Sequence, residues 1–333
     1  MKGLNYNYVI CTNGGFYDIS FADVVKLANV RYFSSHYSGL HSWFQRALFR
    51  INFSKQINHW IKEPFSFYVN SRLYRNDLFD KQNTIVVFCA NVGYVYNTSY
   101  IHYLKQRHPH LKFVLYFTDL VSKTENVDLD YIRNTFDLVI SYDRGDADKY
   151  GFKYYPTPYS RIYNESLDVD TEEYDLYFCG KAKDRYQTIF YIYEQCVSKG
   201  LKCDFYLYDL SEDKRIYGEG LHYDIPMPFV ENIRQLQKSR AILEIMQRNA
   251  DGFTPRLWEA IMYDKHLLTN NETVFDSVYY DKSGVHSIDI LERKDGYFEI
   301  KNNVKYSDNL KKSLSPIAFL EYIESIYVHN KTK

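Results

Sequence analysis

The chain has few of the residues that loosen or staple a backbone. Eight prolines and 14 glycines are spread over 333 residues, which excludes a collagen-like repeat or a proline- or glycine-rich linker array. The five cysteines (Cys11, Cys89, Cys179, Cys196 and Cys203) are an odd number, with no CxxC pair and no His/Cys spacing of a zinc site. Most lie in apolar runs such as YVIC and VVFC, so they read as small buried hydrophobes in a reducing compartment. No run of about 18 apolar residues occurs, and a membrane-spanning helix is not expected. The opening residues MKGLNYNYVICTNGG lack the apolar core and small-residue cleavage site of a signal peptide. A cytoplasmic location is the expectation. Neither G-x-x-x-x-G-K-[ST] nor G-x-G-x-x-G is present, which disfavours P-loop kinases and simple dinucleotide enzymes.

What is abundant is tyrosine, at 35 residues, with Asn, Lys and Ile also plentiful. The codons of an A/T-rich genome would give that bias. A functional reading is aromatic surface for stacking sugars or bases, because Tyr offers a large ring with a polar tip. At about 150 residues per domain, the length implies two domains.

Short apolar runs alternate with amphipathic stretches along the whole chain. Strands are expected at Tyr6–Cys11, Thr84–Ala90, Leu111–Thr118 and Asp137–Tyr142, then at Tyr174–Cys179, Cys203–Tyr208, Ala241–Met246 and His266–Thr269. Between them, residues such as Ile189, Ile192, Tyr193, Cys196 and Val197 share one helical face, and Gly200 stops that helix. The alternation implies βαβ units and parallel sheets covered on both faces. Pro156–Tyr174 carries two prolines, turn residues and an acidic cluster, and reads as the boundary between two α/β halves. A last helix, Ser315–His329, has Ser315 as N-cap and Pro316 as its first residue.

Open α/β sheets bind ligands beyond the C-terminal ends of their strands, at helix N-termini. Two such places stand out in the second half. After Tyr174–Cys179 come Gly180, Lys181, Lys183 and Arg185. A glycine there admits a phosphate close to the backbone, while an ordinary βα turn with solvated lysines would look the same. After Ala241–Met246 comes a polar loop with Gly252, then Thr254 as N-cap, Pro255 as first helical residue, Arg256 in the first turn and Glu259 three residues on. A cation for phosphate beside a carboxylate for hydroxyls suits a nucleotide-sugar site. The alternative is a surface ion pair on a capped helix.

Quoted as S-R-A-I-L-E-I…G-F-T-P-R-L-W-E-A…K-H-L-L-T-N-N, this stretch resembles the donor-side signature of bacterial capsular, exopolysaccharide and lipopolysaccharide glycosyltransferases of GT-B architecture. Two further blocks, D-L-Y-F-C-G…D-R…I and F-D-L-V-I-S-Y-D-R-G-D-A-D-K-Y-G-F-K-Y-Y-P, are similar to that family's in the same order, so the resemblance covers Phe136–Asn271. It implies an α/β fold of two Rossmann-like domains facing each other across a cleft. The first, residues 1–160, would bind the acceptor and the second, 172–312, the nucleotide-sugar. The C-terminal helix, 313–333, would pack back toward the first. The same resemblance places Gly180 and Arg185 against a diphosphate, Thr254 and Arg256 on phosphate at the helix start, and Glu259 on ribose hydroxyls. Glu244 stands for the family's usual Asp and joins the donor-binding set with Gly252. Where relatives often carry Gln before that glycine, this chain has Ala250 and Asp251.

On the acceptor side, strand Tyr6–Cys11 runs into Thr12-Asn13-Gly14-Gly15-Phe16-Tyr17-Asp18. Asn13, Gly14 and Gly15 would line the acceptor, and Asp18 is the candidate base for its hydroxyl. Asp18 could equally serve the start of a helix over Phe21–Asn29. Asp119 and Asp143, each after a strand, are rival carboxylates that could instead cap the next turn. The DxD spacings Asp128/Asp130, Asp146/Asp148 and Asp168/Asp170 do not follow apolar strands, so no metal site and no cofactor beyond the nucleotide-sugar co-substrate are expected. His108 and His110 of HPH read as solvated loop residues.

From Val24 to Lys62 there are six basic residues (Lys26, Arg31, Arg46, Arg50, Lys55, Lys62) and no acidic one, interleaved with Trp43, Phe44, Phe49, Phe53 and Trp60. A basic, aromatic amphipathic helix would dock on anionic lipid at the inner face of a membrane, within reach of a lipid-linked glycan acceptor. A core helix with a solvated basic face is the other reading. No nucleic-acid motif is present. The expected activity, as the resemblance implies, is transfer of a sugar from a UDP-hexose to a surface polysaccharide. A sugar-nucleotide epimerase of similar architecture and a non-catalytic glycosyltransferase-like partner are the rivals. The net charge of −1 hides a split: residues 1–118 carry 13 Lys/Arg against five Asp/Glu, and residues 119–333 carry 28 against 37.

Overall fold

The computed structural model describes residues 4–93, 99–124, 127–162, 172–247, 252–293 and 300–331. The chain forms two compact units, Met1–Ser160 with Ser315–Lys333, and Arg161–Leu314. Drawn at these bounds the charge split narrows: 20 basic against 15 acidic side chains in unit 1, and 21 against 27 in unit 2.

Unit 1 holds a six-stranded parallel sheet in the order β2-β1-β3-β4-β5-β6. Its strands are β1 (Asn7–Cys11), β2 (Val30–Phe33), β3 (Thr84–Cys89), β4 (Lys112–Phe117), β5 (Leu138–Ser141) and β6 (Lys153–Tyr154). Every residue of β3, TIVVFC, is buried, as expected for a strand covered on both faces. Successive side chains point to opposite faces. Val9, Cys11, Val86, Phe88 and Phe113 therefore join one core with Phe49, Tyr100 and Ile132, while Tyr8, Ile10, Val87 and Tyr116 join a second with Phe21 and Phe319.

The helices of unit 1 are α1 (Phe16–Ser20), α2 (Ala22–Val25), α3 (Trp43–Asn52), α4 (Lys55–Asn58), α5 (Ser66–Asn70), α6 (Ser99–Arg107), α7 (Leu129–Thr135) and α8 (Arg144–Tyr150). The C-terminal helix, Pro316–Lys331, also belongs to this unit. Ser315 caps it by accepting from the Ala318 N–H at 3.2 Å. Phe319 packs on Tyr116 (4.9 Å between ring centres), Tyr155 (5.1 Å) and Phe21 (6.2 Å). The Glu324 carboxylate accepts from the backbone N–H groups of Asn5 (2.8 Å) and Tyr6 (3.0 Å).

Two expectations need correction here. The helix expected over Phe21–Asn29 is instead α1 and α2, broken at Phe21 and ended at Val25. The basic stretch 24–62 is not one amphipathic helix: it spans the end of α2, strand β2, a loop, α3 and α4. Gly39 turns that loop at φ +89°, where an added Cβ would lie 2.0 Å from the Arg72 carbonyl oxygen. Ser42 then starts α3 with a capping box to Gln45.

Unit 2 has its own parallel sheet in the order β12-β11-β10-β7-β8-β9. The strands are β7 (Tyr174–Lys181), β8 (Cys203–Tyr208), β9 (Leu221–Tyr223), β10 (Ser239–Glu244), β11 (His266–Thr269) and β12 (Val285–Ser287). Helices α9 (Tyr186–Ser198), α10 (Phe229–Gln237), α11 (Pro255–Tyr263), α12 (Glu272–Phe275) and α13 (Asp308–Leu314) accompany them. Ile189, Ile192, Tyr193 and Cys196 of α9 are buried against the sheet, but Val197 is half exposed rather than part of that face. All five cysteines are buried free thiols. None of the described helices is long and apolar enough to cross a membrane.

Strand order places the functional edge of each sheet. In unit 2 the chain runs outward from β7 to β9, then returns to lay β10 on the other side of β7. This is the dinucleotide-fold order, and its switch point lies between β7 and β10. In unit 1 the corresponding reversal lies between β1 and β3. Ligand crevices form at such points because two successive connections leave the sheet in opposite directions.

Candidate functional site

Each candidate donor residue stands at the end of β7 or β10 or in the segment that follows, at the switch point of unit 2. Gly180 lies near the end of β7, and Arg185 stands where the 183–185 turn enters α9. The Arg185 guanidinium donates to the Lys181 carbonyl (2.9 and 3.1 Å) and to the Ile245 carbonyl. It thereby ties the end of β7 to that of β10. Burial, then the neighbouring Arg256, lowers its pKa.

Thr254 caps α11 by accepting from the Arg256 N–H at 3.1 Å, and Pro255 takes the first helical position. Gly252 ahead of it has φ +87°, and its carbonyl accepts from the Asn271 side-chain amide at 2.8 Å. Arg256 donates to Glu259 and to the Cys179 carbonyl (2.5 Å). The alternative of a surface ion pair does not hold: the Glu259 side chain is 4% exposed and Arg256 22%. Helix α11 faces its i,i+3 pair inward because Leu257, Trp258 and Ala260 beside it fill the core. Burial alone would lower the Arg256 pKa, but the Glu259 carboxylate outweighs burial and raises it. Two guanidiniums close enough to perturb each other make this edge attractive to an anion.

Glu244, at the end of β10, is buried and accepts from the hydroxyls of Thr254 and Thr269. One carboxylate so joins the start of α11 to the end of β11. Thr269 and the two asparagines after it carry roles that motif reading did not assign. Asn270 accepts from the Met246 N–H at 2.8 Å, and Asn271 holds Gly252. Their signal was the T-N-N ending of the quoted stretch. Ala250 and Asp251 lie outside the described residues.

Burial pushes the Glu244 carboxyl above its ordinary 4.5, against the pull of the two threonine hydroxyls and both arginines. A carboxyl with a raised folded-state pKa holds its proton more tightly in the native chain than in the unfolded one. Stability tied to it is present at low pH and falls as pH rises from 4.5 through the raised value. Glu244→Gln should remove that fall. In urea unfolding between about pH 4 and pH 8, the variant should gain on wild type as pH rises; parallel curves would rule the ionisation out.

In unit 1 the loop after β1 sits at that unit's switch point. Gly14 and Gly15 both have φ +68°, and a Cβ on Gly14 would lie 2.7 Å from the Ser34 carbonyl oxygen. Asp18 lies in the first turn of α1, accepting from the Gly15 N–H at 3.1 Å and from the Tyr32 hydroxyl at 2.9 Å. It is exposed, and Asn13 bonds His36 at 2.7 Å. Asp119 follows β4 and accepts from the Leu120 N–H at 2.8 Å, whereas Asp143 caps α8 through the Asp146 N–H at 2.8 Å.

The HPH histidines are not solvated as expected. His108 faces Asp80 at 3.4 Å with its side chain 14% exposed, and His110 bonds the Phe79 carbonyl at 2.9 Å. Asp128 caps α7, Asp146 accepts from the Val121 N–H at 2.7 Å, and Asp168 and Asp170 lie outside the described residues. Among the described residues, no three His, Cys, Asp or Glu side chains gather as a metal site would need.

No protein-family model matches the sequence, and no curated protein matches it. Solved structures match in fold. An alpha-glucosyltransferase in complex with UDP and a 13-mer DNA containing a central A:G mismatch is similar at 12% identity, over 89% of this chain and 89% of that one, with a TM-score of 0.52. The Anabaena protein HepE, in complex with UDP and glucose, is similar at 8% identity over 98% of this chain and 100% of that one, also with a TM-score of 0.52. At such identities the likeness is one of fold. The chain has the two-unit α/β architecture called GT-B, with a parallel six-stranded sheet in each unit.

Proposed function

We propose that this protein transfers a sugar from a nucleotide-sugar donor, UDP-linked, to a glycan acceptor, with guanidinium groups in place of a metal ion. The observation that carries this reading is the pair Arg185 and Arg256, held at the ends of β7 and β10 at the switch point of unit 2. In glycosyl transfer the bond from the sugar's anomeric carbon to the diphosphate breaks, and negative charge grows on the departing phosphate oxygen. Fixed cations and a helix start aimed at that charge lower the barrier because they need no reorganisation. Both fold neighbours named above were solved with UDP, which supports a uridine diphosphate leaving group. Asp18 would take the acceptor hydroxyl's proton, with Asn13, Gly14, Gly15 and Asp119 on the acceptor side. Gly252, Thr254, Glu244 and Glu259 would complete the donor set with Gly180.

Incubation with UDP-hexoses should release UDP slowly by hydrolysis and faster once an acceptor glycan is added. Interconversion of the sugars would favour an epimerase, and absence of nucleotide binding a non-catalytic partner. Asp18→Asn should slow turnover while leaving UDP affinity unchanged.

Gly180 offers a sharper check. A Cβ there would meet Arg185 and Phe178 at 3.5 Å, an ordinary contact. The fold itself therefore does not demand glycine, but a phosphate lying against the backbone would. Gly180→Ala should melt like wild type yet bind UDP roughly tenfold more weakly, a loss of about 1.4 kcal/mol. Undiminished binding in calorimetry would remove Gly180 from the site.

The acceptor proposed is a surface polysaccharide or a glycan carried on a membrane lipid. Supporting this, Trp43 (81% exposed) and Trp60 (84%) of unit 1 present aromatic rings to solvent within the stretch rich in Arg and Lys. Aromatic side chains among cations suit an anionic bilayer surface. Flotation with anionic liposomes should fall severalfold when Arg46, Arg50 and Lys62 become Glu; equal flotation of variant and wild type would refute membrane docking.

A further inference from the structure

Unit 1 has a hollow of about 440 Å³ that plays no part in the reading above. Phe67, Asn70, Arg72, Arg75, Tyr103 and Arg107 line it, with Asp80 and His108 at its side. Its lining comes from the segment before β3 and from α6 with the residue after it, and none of these residues belongs to the candidate donor or acceptor sets.

Its lining is chemically lopsided. Three arginines stand against one carboxylate, Asp80, which faces His108. The hollow also meets the C-terminal end of α6, whose backbone dipole amounts to about half a negative charge. The arginines outweigh it, leaving a net positive site. Arg72 is already positioned: its guanidinium stacks on Tyr68, 3.8 Å from the ring centre, and bonds the Ser71 hydroxyl at 3.1 Å. Planar guanidinium forks match phosphate oxygens in pairs.

Asn70 adds a second, independent requirement. It is 4% exposed, its side-chain amide donates to Ser99 at 3.0 Å, and its Oδ1 has no hydrogen-bond partner. A buried acceptor left unmade costs about 1–3 kcal/mol. What satisfies a carbonyl oxygen is a donor, and an anion alone offers none. A ligand with both phosphate and hydroxyl groups brings an anion for the arginines and a donor for the asparagine once its side chain turns toward the hollow. Phe67, 86% exposed, supplies an aromatic face for the C–H surface of a sugar or polyol.

We propose that this hollow binds a polyol phosphate: a phosphate ester carrying free hydroxyls, either a soluble sugar phosphate or the head group of a lipid such as phosphatidylglycerol.

The test is calorimetry of the full chain with glucose 1-phosphate, in saturating UDP, beside co-sedimentation with phosphatidylglycerol vesicles. Arg75 and Arg107 are exposed, so Arg75→Ala/Arg107→Ala should fold normally. The double variant should lose at least tenfold in affinity for whichever probe binds, with UDP binding unchanged. Phe67→Ala should weaken glucose 1-phosphate more than inorganic phosphate. Binding of glucose 1-phosphate identifies a soluble ligand, and binding of vesicles alone a lipid head group. If neither probe binds, or if the double variant binds as wild type does, the proposal is overturned. Failure of UDP to bind would leave this result standing and strike only the transferase reading.

Discussion

Arg256→Ala is expected to destabilise unit 2 by about 3–5 kcal/mol, the usual cost of stranding one partner of a buried ion pair. The Glu259 carboxylate would remain 4% exposed with its cation gone, and the Cys179 carbonyl would lose its donor. The same substitution should reduce UDP affinity at least a hundredfold, because it removes a fixed charge from the β7–β10 edge. The two effects can be separated. Exchanging both partners for apolar residues of similar volume, Arg256→Met with Glu259→Leu, should restore most of the lost stability, since no charge then stays buried unpaired. It should not restore nucleotide binding. Urea unfolding and UDP calorimetry on the three proteins read these out. A single variant as stable as wild type would mean that the pair is not buried in solution, and a double variant that binds UDP normally would free Arg256 of any phosphate role.

The second large effect is expected far from that site. Phe319 is fully buried among Tyr116, Tyr155 and Phe21, so Phe319→Ala should cost about 3–5 kcal/mol through lost transfer energy and an unfilled cavity. The loss should fall on unit 1, whose unfolding transition moves while that of unit 2 stays. Exposed Glu321→Ala on the same helix is the control and should change stability by less than about 0.5 kcal/mol. Truncation after Leu314 should be more severe, because it uncovers the second core of unit 1 and removes the Glu324 acceptor from Asn5 and Tyr6. An unchanged unit 1 transition in Phe319→Ala would show that the terminal helix is not part of that core.

These expectations differ in how far they could be read from the chain alone. The long central strands were legible because a parallel strand covered on both faces is an unbroken apolar run, as in TIVVFC of β3. The short strands β2, β6, β9 and β12 were not. They have two to four residues, and where β5 and β11 of equal length are almost wholly buried, VRYF of β2 is mostly half-buried. The stretch 24–62 was misread for a related reason: its apolar spacing continues across elements that only Gly39, Ser42 and the pairing of β2 with β1 divide. At the candidate site, Thr254 and Pro255 announced the start of α11, and the i,i+3 spacing put Arg256 and Glu259 on one face. Which way that face points depended on what packed beside it. Glu244 shows the same limit, since its partner Thr269 belongs to a neighbouring strand 25 residues away.

The amino-acid sequence by itself therefore determined the parallel α/β character, the main strands and the cap of α11, and it supplied the residues proposed here to hold a diphosphate. Those features arise from local backbone hydrogen bonding and side-chain period, which neighbouring residues set. Tertiary structure alone decided the strand orders, and with them the switch point that gathers Arg185, Glu244 and Arg256. It also turned the Arg256–Glu259 pair inward and closed the Arg72–Arg75–Arg107 hollow. Each of these joins segments distant in the chain, and pairing and burial between them are fixed only when the core packs.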